Sequence, residues 1–160
     1  HNTIRLNIRT VYDIYGLPQI GYNILMTDVP KSIFTQIIPG QIPCHKVFED
    51  EKTIAFMDIH PAQPGHVLVV PKVQVEFFQD LDDEDYTALW NTVRLVARKL
   101  KAELQPRRVG VHVEGFDVPH AHVHLLPINK GLDDFGTPDQ SIPPDHEALA
   151  AMAHRLRIKQ

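Results

Sequence analysis

The sequence predicts an α+β domain: a sheet of about five mainly antiparallel strands, one long helix, a short N-terminal helix and a C-terminal helix. Three observations carry this. Short apolar stretches, several of them alternating, are separated by turn residues, as strands joined by hairpins are. One long segment has helical spacing and charged ends. The 160 residues, 43% of them apolar, suffice for a single core.

The elements follow in order. Ser32 to Ile38 places Ile33, Phe34, Ile37 and Ile38 at helical spacing, and Pro39-Gly40 stops it. Val47 to Glu49 and Thr53 to Asp58 read as strands around an Asp50-Glu51-Lys52 turn. Pro61 to Gly65 is a loop, and His66 to Val70 is a strand closed by Pro71. Asp82 opens the long helix, which runs to Leu104. Its first turn is acidic (Asp82, Asp83, Glu84, Asp85) and its last turns are basic (Arg98, Lys99, Lys101), matching the helix dipole. Leu89, Val93, Val96, Ala97 and Leu100 form its apolar stripe, and Pro106 ends it. Val109 to Val113 is another strand, followed by one from His120 to Pro127. Asp145 caps a last helix to Arg157. Residues 1–25 lack a period and have two readings: an upstream or cloning-derived extension with Met26 as natural start, or a genuine N-terminal extension that packs on the domain; 26–160 read as one domain.

Composition narrows the function. A net charge of -4 gives no broad basic surface for nucleic acid. No apolar run approaches the roughly 18 residues of a membrane span. One cysteine, Cys44, cannot form an internal disulfide and fits a reducing compartment, so a cytoplasmic protein is expected. Histidine stands out, with 10 residues.

His120-Ala121-His122-Val123-His124 concentrates that excess. On a strand, Ala121, Val123 and Leu125 face a core and the three imidazoles stand in a row opposite. Such a row has three readings. It is a coincidence on a half-buried strand; or two of its histidines hold zinc with a third ligand such as His66 or Glu114; or it lies along an anion. The outer histidines are separated by roughly 13 Å along a strand, too far to share an ion with bonds of about 2 Å. A phosphate chain is long enough, and imidazoles along it can attack, donate and hold in turn.

His120-Ala-His122-Val-His124-Leu-Leu resembles the histidine-triad (HIT) motif. Ser32-Ile33-Phe34 with Ile37, Gly40-Gln41-Ile42-Pro43, Ala55-Phe56-Met57-Asp58-Ile59, Pro64-Gly65-His66 and Val69-Val70-Pro71-Lys72 extend the resemblance over about 32–130. It implies a HIT-like fold, a homodimer, and hydrolase or nucleotidyl-transfer chemistry on purine nucleotide adducts without a metal or other cofactor. Position by position, it implies His122 as nucleophile, His124 at the phosphate or leaving group, His120 orienting the site, and His66 beside His122. It implies Asp58 at the ribose hydroxyls and Phe34, Ile33, Ile37, Phe56 and Ile59 around the base.

Two departures stand out. Many members place an asparagine on the preceding strand and a Gly-Gln-Ser loop before the triad; here His112 lies near the asparagine's place and Asp117 near the serine's. An aspartate beside a phosphate is repulsive, but the run Glu114-Gly115 through Val118-Pro119 matches a bacterial-type branch. Second, some members hold structural zinc by Cys-x-x-Cys where this chain has Ser32-Ile33-Phe34-Thr35, so none is expected. Two rival functions remain: a nucleotide-binding or protein-interaction module with little catalysis, and a zinc-dependent hydrolase using two of the three histidines.

Overall fold

The computed structural model describes residues 30–137 and 139–159. The chain divides into two units at residues 30/31, and nearly all the described residues belong to the second, 31–160. The extension expected over residues 1–25, and Met26, lie outside the described residues.

The second unit is built on a five-stranded antiparallel sheet. Its strands are β1 (Lys46–Glu49), β2 (Thr53–Met57), β3 (Val67–Pro71), β4 (Arg108–His112) and β5 (Val123–Ile128). Their spatial order is β1-β2-β3-β5-β4. The helices are α1 (Phe34–Ile37), α2 (Asp83–Leu104) and α3 (His146–Leu156), with short 3-10 turns at Phe78–Asp80 and Leu132–Phe135. The expected architecture is borne out. No described helix is long and apolar enough to cross a membrane.

Alternation sorts the strand residues onto two faces. Ala55, Met57, Val67, Val69, Val123 and Leu125 pack under α2 and α3, against Leu89, Val93, Val96, Leu100 and Leu149. Ile54, Phe56, Leu68 and Val70 point the other way, into a smaller cluster closed by Phe34 and Ile37 of α1. His124 pairs with Leu68 in the β3–β5 register, so its side chain stands on this second face. The sheet thus carries its main core on one side and the histidines on the other.

Local chemistry fixes the joints. The Asp50 carboxylate accepts from the Lys52 and Thr53 amides at 2.9 and 2.7 Å, tightening the β1–β2 turn. The Thr53 and Thr92 hydroxyls meet at 2.8 Å and fasten β2 to α2. Asp82 and Asp145 cap α2 and α3, accepting from the Asp85 and Ala148 amides. Gln105 ends α2 in the left-handed region at φ 51°.

Two expectations need correction. The first helix spans only Phe34–Ile37, because the Gln41 and Ile42 amides both turn back onto the Gln36 carbonyl. The histidine strand starts at Val123 instead of His120. The register that pairs Val69 with Val123 would next bring Pro71 opposite Ala121. Proline has no N–H to continue the ladder there. The Ala121 amide instead donates to the Val75 carbonyl, and the Pro71 carbonyl is left for a side chain.

Candidate active site

The released Pro71 carbonyl organises the first histidine. His120 is wholly buried (0% exposed); its Nε2 lies 2.7 Å from that oxygen and its Nδ1 lies 2.8 Å from the Ser32 hydroxyl. A carbonyl only accepts, so Nε2 carries the proton and Ser32 donates to Nδ1. Burial pushes the imidazole below its ordinary range, which keeps it neutral. His120 is thereby held at both nitrogens.

The second histidine is fixed by the first. His122 Nδ1 lies 2.7 Å from the His120 carbonyl oxygen and must donate to it. In the neutral ring, Nε2 then keeps its lone pair. The ring rests edge-on against Phe34, with centroids 5.2 Å apart.

The third histidine is oriented from the β2–β3 loop. The Ala62 amide donates to His66 Nδ1 at 3.3 Å, so neutral His66 carries its proton on Nε2. That nitrogen lies 2.8 Å from His124 Nδ1 and donates to it. Neutral His124 is therefore protonated at Nε2, a buried atom with no hydrogen-bond partner among the described residues. Burial lowers both pKa values to about 4, with neighbouring imidazoles adding to the effect. The His122 and His124 centroids are 4.9 Å apart. A lone pair and an unmatched N–H thus sit side by side, suited to an electrophile that also carries acceptor oxygens.

Asp58 borders this group. Its Oδ1 accepts from the His60 amide at 2.9 Å, and its Oδ2 lies 3.5 Å from His66 Nδ1. Burial raises its carboxyl above the ordinary range. Asp58, His66 and His124 each offer one ligand-type atom within 4.8 Å of the other two. Of the three triad histidines only His124 belongs to this group, so a metal bound by two triad histidines is not the arrangement found. Glu114 instead pairs with His112 at 3.1 Å.

The other expected residues divide. Phe34, Ile37 and Phe56 are buried in the second cluster. Ile33 and Ile59 are open to solvent, at 45% and 47% exposure. His66 was expected beside His122; its hydrogen bond goes to His124. His112 stands 5.9 Å from His124 between ring centroids, at the far end of the row. Asp117 is exposed in the loop before the triad. Phe135, from the 3-10 turn at Leu132–Phe135, lies 6.1 Å from the His112 ring. Gly110 makes room for it, since a Cβ there would fall 2.4 Å from Phe135 Cζ. A separate cavity of about 420 Å³ lies between the Ile59–Gly65 loop and α3, and no triad histidine lines it.

Sequence reasoning missed Ser32 as a partner of His120, and the carbonyl of Pro71 and the amide of Ala62. Ser32 does carry a local signal, a serine three residues before Thr35 at a helix start. Backbone atoms carry none.

Comparison with known proteins places the fold and the family. A family model for the HIT domain matches residues 39–131. The chain is 36% identical over 111 residues to the protein hit of Bacillus subtilis, covering 65% of this chain and 75% of that one. A Hit-like protein involved in cell-cycle regulation from Bartonella henselae superposes with a TM-score of 0.70 at 31% identity, covering 79% of this chain and 94% of the other. A hypothetical histidine triad nucleotide-binding protein from Sulfolobus tokodaii superposes with a TM-score of 0.66 at 27% identity, covering 78% and 89%. The cluster of imidazoles, the antiparallel sheet beside it and these matches lead to one conclusion: the chain belongs to the HIT domain family.

Proposed function

We propose that this protein is a hydrolase or nucleotidyl transferase that cleaves at the α-phosphorus of purine nucleotide adducts through a covalent nucleotidyl-histidine. The observation that carries this is the tautomer pair: a lone pair on His122 Nε2 beside an unmatched Nε2–H on His124. In this reading His122 Nε2 attacks the α-phosphorus and the bond to the leaving group breaks. The leaving group takes the electron pair of that bond and a proton. Neutral His124 first holds a phosphate oxygen. The anion then favours its imidazolium form, which supplies that proton. Water attacks the nucleotidyl-His122 in the second step and releases the nucleoside monophosphate. His120 positions His122, and His66 positions His124.

Asp58 receives the ribose hydroxyls, for which its carboxylate oxygens are natural acceptors. The base lies against the solvent-facing Ile33 and Ile59, while Phe34, Ile37 and Phe56 back the site from the core. His112 stands at the leaving-group end, with Asp117 in the loop beside it. The working unit in this proposal is a cytoplasmic homodimer; support for the dimer is the edge of the sheet at β4, unpaired among the described residues, where Val111 is exposed.

The test is His122→Ala with an AMP phosphoramidate or a fluorogenic adenylate as substrate. Turnover falls to background while AMP binding survives, and the wild type quenched in acid carries one nucleotidyl group by mass spectrometry. Full activity in His122→Ala refutes the assignment. AMP binding without turnover in the wild type identifies a binding module instead.

A further inference from the structure

We propose that Asp58, His66 and His124 also form a zinc-type site, and that an ion bound there excludes nucleotide from the same pocket. The inference adds a ligand to the histidine row, and its competitive aspect rests on the nucleotide reading above.

Three features converge. One ligand-type atom from each residue lies within 4.8 Å of the other two. Ligand atoms on a tetrahedral zinc stand about 3.3 Å apart for bonds of about 2 Å, so from separations of up to 4.8 Å the site needs to close by at most about 1.5 Å. The three residues come from the loop after β2, the position before β3 and the middle of the sheet in β5, so strand pairing holds them in place. Finally, the Asp58 Oδ2 faces His66 Nδ1 at 3.5 Å, while that nitrogen already accepts from the Ala62 amide. Two acceptors facing each other without a proton between them are poorly matched, and a cation resolves the mismatch.

The donor set selects the ion. Two imidazoles and one carboxylate suit zinc and similar borderline cations, whereas magnesium and calcium call for oxygen ligands. His122 lies outside the set and keeps its hydrogen bond to the His120 carbonyl. The bound ion therefore does not consume the attacking nitrogen. It removes the carboxylate that receives the ribose and engages the imidazole that holds the phosphate.

The experiment is equilibrium dialysis of zinc chloride against the chelator-stripped full chain, with no substrate present. Wild type is expected to bind zinc at this site, and Asp58→Asn, His66→Gln and His124→Asn each to weaken it at least about tenfold. His146→Gln serves as control, because His45 and His146 form a second imidazole pair, 3.0 Å apart on the surface. Equal binding in the three site variants, or loss in His146→Gln alone, overturns the proposal. Should one site variant fail to fold, the other two still decide it. A second measurement uses only the wild type: AMP is expected to raise the apparent zinc dissociation constant, and zinc to raise the KM of the adenylate without lowering kcat. Zinc and AMP binding independently refutes the shared pocket. Dialysis reads the metal without turnover, so failure of the catalytic reading leaves the metal result intact.

Discussion

Replacing Ser32 with alanine tests whether a hydroxyl outside the histidine motif orders His120 and, through it, His122. Ser32 is 4% exposed and His120 is 0% exposed, so no bulk water reaches the nitrogen that loses its donor. A buried polar atom left without a partner costs about 1–3 kcal/mol. The wild-type bond is short, 2.8 Å, and the alanine offers no substitute. The Thr35 amide also loses a contact, but at 3.4 Å it contributes little. Ser32→Ala should therefore lower unfolding stability by about 2 kcal/mol, read as a shift in urea midpoint at unchanged m-value. Catalysis should respond separately. With Nδ1 unmatched, His120 no longer has a single preferred orientation, and its carbonyl anchors His122. In the proposed reaction, misplacement of the attacking His122 nitrogen by a fraction of an ångström should cost about tenfold in kcat, with KM little changed. Ser32→Thr, which keeps the hydroxyl, should recover most of kcat. A Ser32→Ala protein with unchanged midpoint and unchanged kcat refutes the reasoning, and so does a threonine variant as slow as the alanine one.

Two further outcomes follow from particular geometry. His66 and His124 titrate near 4 in the folded protein and near 6.5 when unfolded, so the unfolded chain binds more protons between these values. Stability should hold above pH 6.5 and fall as the pH drops towards 4. Each histidine contributes at most about 1.4 kcal/mol per pH unit to that slope. Urea melts at pH 7.5, 6 and 5 check this; a flat profile, or a slope unchanged in His66→Gln, sinks it. Gly65 has φ +94°, and a Cβ there would lie 2.5 Å from Leu104 Cδ1 and 3.0 Å from Pro127 Cγ. Gly65→Ala should therefore destabilise by about 2–3 kcal/mol through strain and overpacking, and a neutral urea midpoint would contradict the close approach of the β2–β3 loop to α2.

The sequence by itself determined the element order, the antiparallel sheet, both long-helix caps and the family, because these rest on short-range signals. Period-2 alternation separates Val67 and Val69 from Leu68 and Val70. Asp82 and Asp145 bond amides three residues away, and the three histidines alternate with apolar residues over 120–124. Only the tertiary structure decided what each histidine is. In the pattern His120, His122 and His124 are equivalent. In the fold His120 is locked between Ser32 and the Pro71 carbonyl, His122 hangs from the carbonyl of His120, and His124 is held by His66. The partners lie 88, 49 and 58 residues away in three of these bonds. Three of the orienting atoms, the Pro71 and His120 carbonyls and the Ala62 amide, belong to the backbone, which every residue carries alike. Tautomers depend on which donor meets which acceptor across the sheet, and no local pattern encodes that meeting. The same holds for Ile33 and Ile59, whose apolar character fitted a core equally well until the packed strands left them facing solvent.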